Sequence, residues 1–221
     1  MSAFLGPIHY MMFNKIRIAA ERSREVIDVF KNKFGNDAEE TIKAVLPEGP
    51  MDFGDTPLDE LIGNNPIHQF LQGLINELET AEANLVTALL YRFPDEGREV
   101  LKEAFRSHGQ KTAREKIGGN TDANLDLNGI GNFIGQTYLE GMPCDQVSSY
   151  NRNGENSMQV NHSECLHLAK WESVGAPVDV MCELLDEWVS GSASVLNSGV
   201  SLERTSAIVK GADSCSCTIK I

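Results

Sequence analysis

Through the first half of the chain apolar residues recur every three or four positions, while near its end they alternate, and a stretch rich in Gly, Asn and Asp lies between. A change of period from helical to strand-like restricts the fold to a helical region followed by one that contains a sheet. From Ile8 to Phe34 the apolar positions Ile8, Met12, Ile16, Ala19, Val26, Phe30 and Phe34 paint one face of a long amphipathic helix. Gly35 stops it, and Asn36 followed by Glu39 opens a short helix through Leu46. Gly and Pro make 47–56 a loop, and Thr56-Pro57-Leu58-Asp59 starts another short helix ending near Gly63. A second long helix spans about Ile67 to Leu90, with Ile67, Leu71, Ile75, Leu78, Leu85 and Leu89 on one face. A third starts at Pro94 and carries Leu101, Ala104, Phe105 and His108 on its apolar side, where His108 reads as core packing.

Sliding the sequence on itself aligns Pro7-Ile8-His9 with Pro66-Ile67-His68, Ile16 with Ile75 and Phe34 with Phe93, which is consistent with a duplicated helix–turn–helix unit or with two similar amphipathic helices. Residues 118–132 (GGNTDANLDLNGIGN) read as a loop and as the boundary between a helical region, 1–117, and an α+β region, 118–221, unless the two form one continuous domain. Beyond it, Asp145 to Asn151 and Ser157 to His162 pair as strands, Cys165 to Val174 and the segment from Pro177 form helices, and Val200 to Val209 and Cys215 to Ile221 close as a hairpin. The expected fold class is α+β: a helical N-terminal half and a C-terminal antiparallel sheet covered by helices.

Composition narrows the function. With 41% hydrophobic and 23% charged residues the 221-residue chain can fill a core, and its net charge of −13 repels phosphate backbones and anionic lipid. The expected partner is therefore a small-molecule ligand, with no nucleic acid and no membrane, and a homodimer is the protein-partner alternative. No leader or apolar span is legible, and an odd count of five cysteines fits a reducing compartment, so the expected location is the cytoplasm. Asn124 to Gly129 has the ligands of a calcium loop, but Gly135 stands where the bidentate glutamate belongs. There is no phosphate loop, no H-E-x-x-H and no G-x-S-x-G. No cofactor or metal is identified.

Two constellations remain. His9 and His68 each head a long helix, so helices packed side by side bring both imidazoles to one place, where they bind substrate, cofactor or metal, or simply pack. In the last third, Cys182 and Asp186 share one side of the Pro177 helix. An aspartate beside a thiol raises its pKa, so Asp186 is better suited to position a water or an amine, and Arg204 is the cation for Asp186 or for a substrate carboxylate. Cys215 and Cys217 share a strand face that can approach Cys165 or Cys182, unless all are small buried hydrophobes.

Cys165, Leu168-Ala169-Lys170, Val174-Gly175-Ala176-Pro177, Cys182, Asp186, Arg204-Thr205, Gly211 and Cys215 together resemble the aminothiazoline-carboxylate hydrolase-like family, over about the last third of the chain. The pattern is also similar to four-vinyl-reductase-type small-molecule-binding domains. The first resemblance implies hydrolysis of a C–N or C–S bond in a small heterocyclic or amino-acid-like substrate. On that reading Cys182, Asp186 and Cys165 would be catalytic and Arg204 would bind substrate, while His68 and His9, which lie outside the hydrolase pattern, are added to the substrate-binding set from the heads of the two long helices. The second implies a non-catalytic small-molecule or cofactor-binding module with Cys165, Cys182, Asp186 and Cys215 lining a pocket.

Overall fold

The computed structural model describes residues 5–119 and 124–221. Among these, α1 (Pro7–Phe34), α2 (Asn36–Val45), α3 (Leu58–Ile62), α4 (Ile67–Arg92), α5 (Gly97–Lys116) and α6 (Leu127–Thr137) precede strands β1 (Ser148–Arg152) and β2 (Ser157–His162). Helices α7 (Leu168–Ser173) and α8 (Val178–Leu196) follow, and β3 (Ser201–Ser206) and β4 (Cys215–Lys220) end the fold. The four strands form one antiparallel sheet in the order β1-β2-β4-β3, so the expected α+β class is the one observed.

The first two long helices begin within a residue of where the sequence places them. Pro7 occupies the first turn of α1, where its missing N–H costs nothing. His9 Nε2 lies 3.3 Å from His68 Nε2 at one end of α1 and α4, and Phe34 stacks on Phe93 at the other, with centroids 4.0 Å apart. The two helices therefore run parallel, with residues 59 apart in sequence meeting each other at both ends.

One part of the expected loop 118–132 is corrected, and residues 120–123 of it lie outside the described residues. Asp126 accepts a hydrogen bond from Gly129 N–H and caps α6, whose Leu127, Ile130, Phe133 and Ile134 are buried. The same aspartate that suggested calcium is thus a helix cap. The third long helix also starts later than Pro94, at Gly97, and the strand expected to reach Val209 ends at Ser206, ahead of a 3-10 turn over Ile208–Lys210.

One core cluster joins Phe30, Leu89, Leu101 and Phe105 from the helical half to Ile130, Leu184, Trp188 and Ile219. A smaller cluster packs Met12, Ile16, Leu71 and Ile75 with Leu58 and Ile62 of α3. Helices α5 and α8 cross closely at two glycines. A Cβ on Gly109 would lie 2.2 Å from the Trp188 carbonyl oxygen, and one on Gly191 would lie 2.3 Å from that of Arg106. Beneath this crossing, Trp188 Nε1 donates to His108 Nδ1 at 2.9 Å, so His108 is core, with its acceptor nitrogen satisfied.

Candidate functional site

Strand register builds the floor of the site. Tyr150 pairs with Val160, Val160 with Cys217, and Cys217 with Arg204, so one row crosses all four strands. Residues directly opposite in an antiparallel pair point to the same side. The adjacent same-face row carries Met158, Ile219 and Leu202, and a third carries His162 and Cys215. Over this floor lies the α8 stripe that begins with Cys182 and Asp186 and continues through Val189 and Ser190, with Ile134 of α6 and the following Tyr138 and Glu140 closing the side.

The cavity between α6, α8 and the sheet measures about 220 Å³. That is roughly half again the ~150 Å³ apolar cavity that admits benzene. Beside it lies a smaller hollow of about 40 Å³, bounded by Cys165, Cys182, Cys215, His167 and Trp171 and sharing Tyr138, Glu140, His162 and Arg204 with the first. A third, more polar hollow of about 340 Å³ lies beyond Asp186 and Arg204, with Lys210 and Asp179 in its wall. Arg204 borders all three.

The charged groups of the main cavity are engaged in pairs. Arg204 donates from Nε to Asp186 Oδ2 at 2.6 Å and from Nη2 to Oδ1, a two-pronged bond that raises the guanidinium pKa further. Glu140 accepts from Ser148 at 2.9 Å and pairs with His162. Burial pushes the Glu140 carboxyl up, but the His162 contact outweighs it and holds the carboxylate below its usual range. Glu187 is held by Arg106. Nearby, Glu79 ties α4 to α7 through His167 Nδ1 at 3.1 Å and Lys170 at 3.2 Å, leaving its Oε1 without a partner.

The uncharged polar groups are the free ones. Tyr138 and Tyr150 line the cavity, and burial, followed by the Glu140 charge, raises both phenols, Tyr150 to about 12, so both stay protonated. Burial likewise pushes Cys182 and Cys217 up to about 11 and raises Cys165, so these sulfurs are thiols rather than thiolates at neutral pH.

The structure brings Cys165, Cys182 and Cys215 to the small hollow, and Asp186, Arg204 and Cys217 to the main cavity. It brings His9 and His68 to each other, but neither borders these hollows. Tyr138, Glu140 and His162 were not singled out for this site. Alternation along β2 places His162 on the same face as Met158 and Val160, a signal the sequence does carry. Tyr138 and Glu140 follow a helix that the sequence hid, and no local pattern marks them. Among the described residues no three His, Cys, Asp or Glu groups stand close enough to hold a metal ion.

No family model and no curated protein matches the chain. Among solved structures, one from work on modulating heme redox potential through protein-induced porphyrin distortion is 9% identical over 89% of this chain and 96% of its own, with a TM-score of 0.42. Another, from work probing the function of heme distortion in the H-NOX family, is 13% identical over 89% of this chain and 91% of its own, with a TM-score of 0.43. Scores this low leave the likeness a general one.

These findings correct the hydrolase reading. Neither the aminothiazoline-carboxylate hydrolase resemblance nor that to four-vinyl-reductase-type domains finds a matching family model, and the geometry of the site gives no support to a hydrolase. A nucleophilic thiol needs a base or cation that lowers its pKa, whereas Cys182 and Cys165 are raised by burial. Both oxygens of Asp186 are engaged by Arg204.

The residues present do not accommodate heme as they are arranged. A porphyrin needs a wide flat slot with an axial donor at its centre. His162 and Cys217 border the cavity, but about 220 Å³ is space for little more than one ring. His108 borders none of the three hollows, and its Nδ1 is taken by Trp188.

Proposed function

We propose that this chain is a non-catalytic small-molecule-binding module whose ligand occupies the cavity between α6, α8 and the sheet. The observation that carries this reading is a cavity of about 220 Å³ whose floor is a continuous cross-strand row and whose charged groups are already paired. Such a site offers shape, apolar surface and hydrogen bonds, but no activated nucleophile and no unpaired base. Free cysteines and a net charge of −13 are in keeping with a reducing compartment such as the cytoplasm, and no described helix is long and apolar enough to cross a membrane. The large exposed apolar side chains, Ile8, Tyr10, Tyr91 and Tyr150, do not line up as a stripe along α1 or α4, which favours a ligand over a helix-mediated dimer.

Ligand-observed NMR with a panel of single-ring and fused-ring compounds tests the reading, with hemin titrated separately because the structural relatives concern heme. Single-ring compounds are expected to bind saturably, and Val189→Trp, which fills the cavity from α8, is expected to abolish that binding while the circular dichroism spectrum is kept. Hemin is expected to give no stoichiometric Soret band. Absence of saturable binding, or binding that Val189→Trp leaves intact, overturns the reading.

A further inference from the structure

The hydrogen-bonding groups of the cavity are unequal in what they have left to give. Its carboxylates, Glu140, Asp186 and Glu187, each already engage a cationic or imidazole partner, so an incoming ammonium competes with an existing contact at every one of them. An incoming carboxylate meets those same three acids around a guanidinium that Asp186 has already neutralised. Both ionic classes therefore lose hydration on entering and find their complementary groups already engaged.

Donors are what remain. Arg204 engages Asp186 through Nε and Nη2, and its Nη1 has no hydrogen-bond partner among the described residues. Neither has the Tyr138 hydroxyl, and Tyr138 borders the main cavity and the small hollow together with Arg204. Guanidinium N–H groups donate and cannot accept, so the complementary group on a ligand is an acceptor oxygen. A site built with donors rejects analogues that lack the acceptor, because its polar groups are then left dry and unpaired.

We infer that the ligand of this cavity is an uncharged molecule of about one ring plus a short tail, bearing a carbonyl-type oxygen that accepts from Arg204 Nη1 and the Tyr138 hydroxyl. This rests on the binding-module reading above and names the ligand class for the same site. The ring packs on Val160, Ile219, Leu202 and Val189, and the oxygen points toward the Arg204 side of the cavity.

Four ring compounds of matched size separate the possibilities: ethylbenzene, acetophenone, benzoate and benzylamine, titrated into the full chain by calorimetry or NMR. Acetophenone is expected to bind about ten-fold more tightly than ethylbenzene, as two net hydrogen bonds provide. It is also expected to exceed benzoate and benzylamine. Tyr138→Phe, which preserves ring and volume, is expected to reduce the preference for acetophenone over ethylbenzene several-fold, and Arg204→Gln is expected to reduce it as well. Because Arg204→Gln strips Asp186 of its partner and can unfold the chain, Tyr138→Phe is the deciding variant. Equal binding of acetophenone and ethylbenzene, a preference for benzoate or benzylamine, or a preference unchanged in Tyr138→Phe overturns the inference while leaving a binding module in place. Failure of every ring compound to bind overturns both.

Discussion

His108 lies neutral in hydrocarbon on α5, accepting from Trp188, and burial, followed by the Arg22 charge, lowers its pKa to about 3 from an ordinary value of 6.5. The unfolded chain therefore takes up a proton at His108 that the folded chain refuses, and stability falls as pH drops from about 6.5 toward 3. One pKa unit is worth about 1.4 kcal/mol, so between about pH 8 and pH 5 this residue alone removes about 2 kcal/mol. Urea unfolding at the two pH values is expected to show that loss in the native chain and a smaller one in His108→Gln, which retains an acceptor for Trp188. An equal pH dependence in both chains contradicts the assignment. Glu140 and Glu79 act lower. Both carboxyls are held below their ordinary values in the fold, so their contribution is present above about pH 4.5 and is lost as pH falls through the depressed folded pKa.

Among the elements, α5 and α8 owe their close approach to residues that a helix normally avoids. Gly109→Ala drives a methyl group into the Trp188 carbonyl and is expected to cost roughly 2 kcal/mol or more, as overpacking does. Gly135→Ala in α6 has open space around the new methyl and is expected to stabilise by up to about 1 kcal/mol. Thermal denaturation of the two variants checks the contrast. The same residue type explains what the sequence disclosed and what it withheld. The long helices α1 and α4 were legible because their apolar spacing is sustained over 28 and 26 residues. Helix α6 was not, because Gly129, Gly131, Gly135 and two asparagines advertise a loop, while burial of Leu127, Ile130 and Phe133 overrides that propensity. For the site, alternation placed Cys215 and Cys217 on one face and helical spacing placed Cys182 beside Asp186. The strand order β1-β2-β4-β3, which sets Arg204 next to Cys217 and brings Tyr150 into the same row, depends on long-range pairing that no local pattern encodes.

At the scale of the whole molecule, Phe30, Phe105, Trp188 and Ile219 share one core, so heat or urea has no internal seam of water at which to separate helices from sheet. A compound held in the cavity is therefore expected to raise the midpoint of a single cooperative transition. At a hundred times its Kd the gain is about 2.7 kcal/mol, and calorimetry reads it directly. Two separate transitions, with only one shifted by the compound, would contradict this.

The floor of the cavity also has a reading frame. Between the apolar rows runs a polar one, Asn151, Gln159, Thr218 and Glu203, turned to the opposite side of the sheet. Losing or gaining one codon at the start of β4 would invert that strand alone, setting Ser216 and Thr218 toward the cavity and turning Cys217 and Ile219 to the other side of the sheet. Point substitutions can retune this pocket one contact at a time, whereas a single-residue indel in β4 erases its floor, so lineages that diversify the ligand are constrained to change by replacement and not by length.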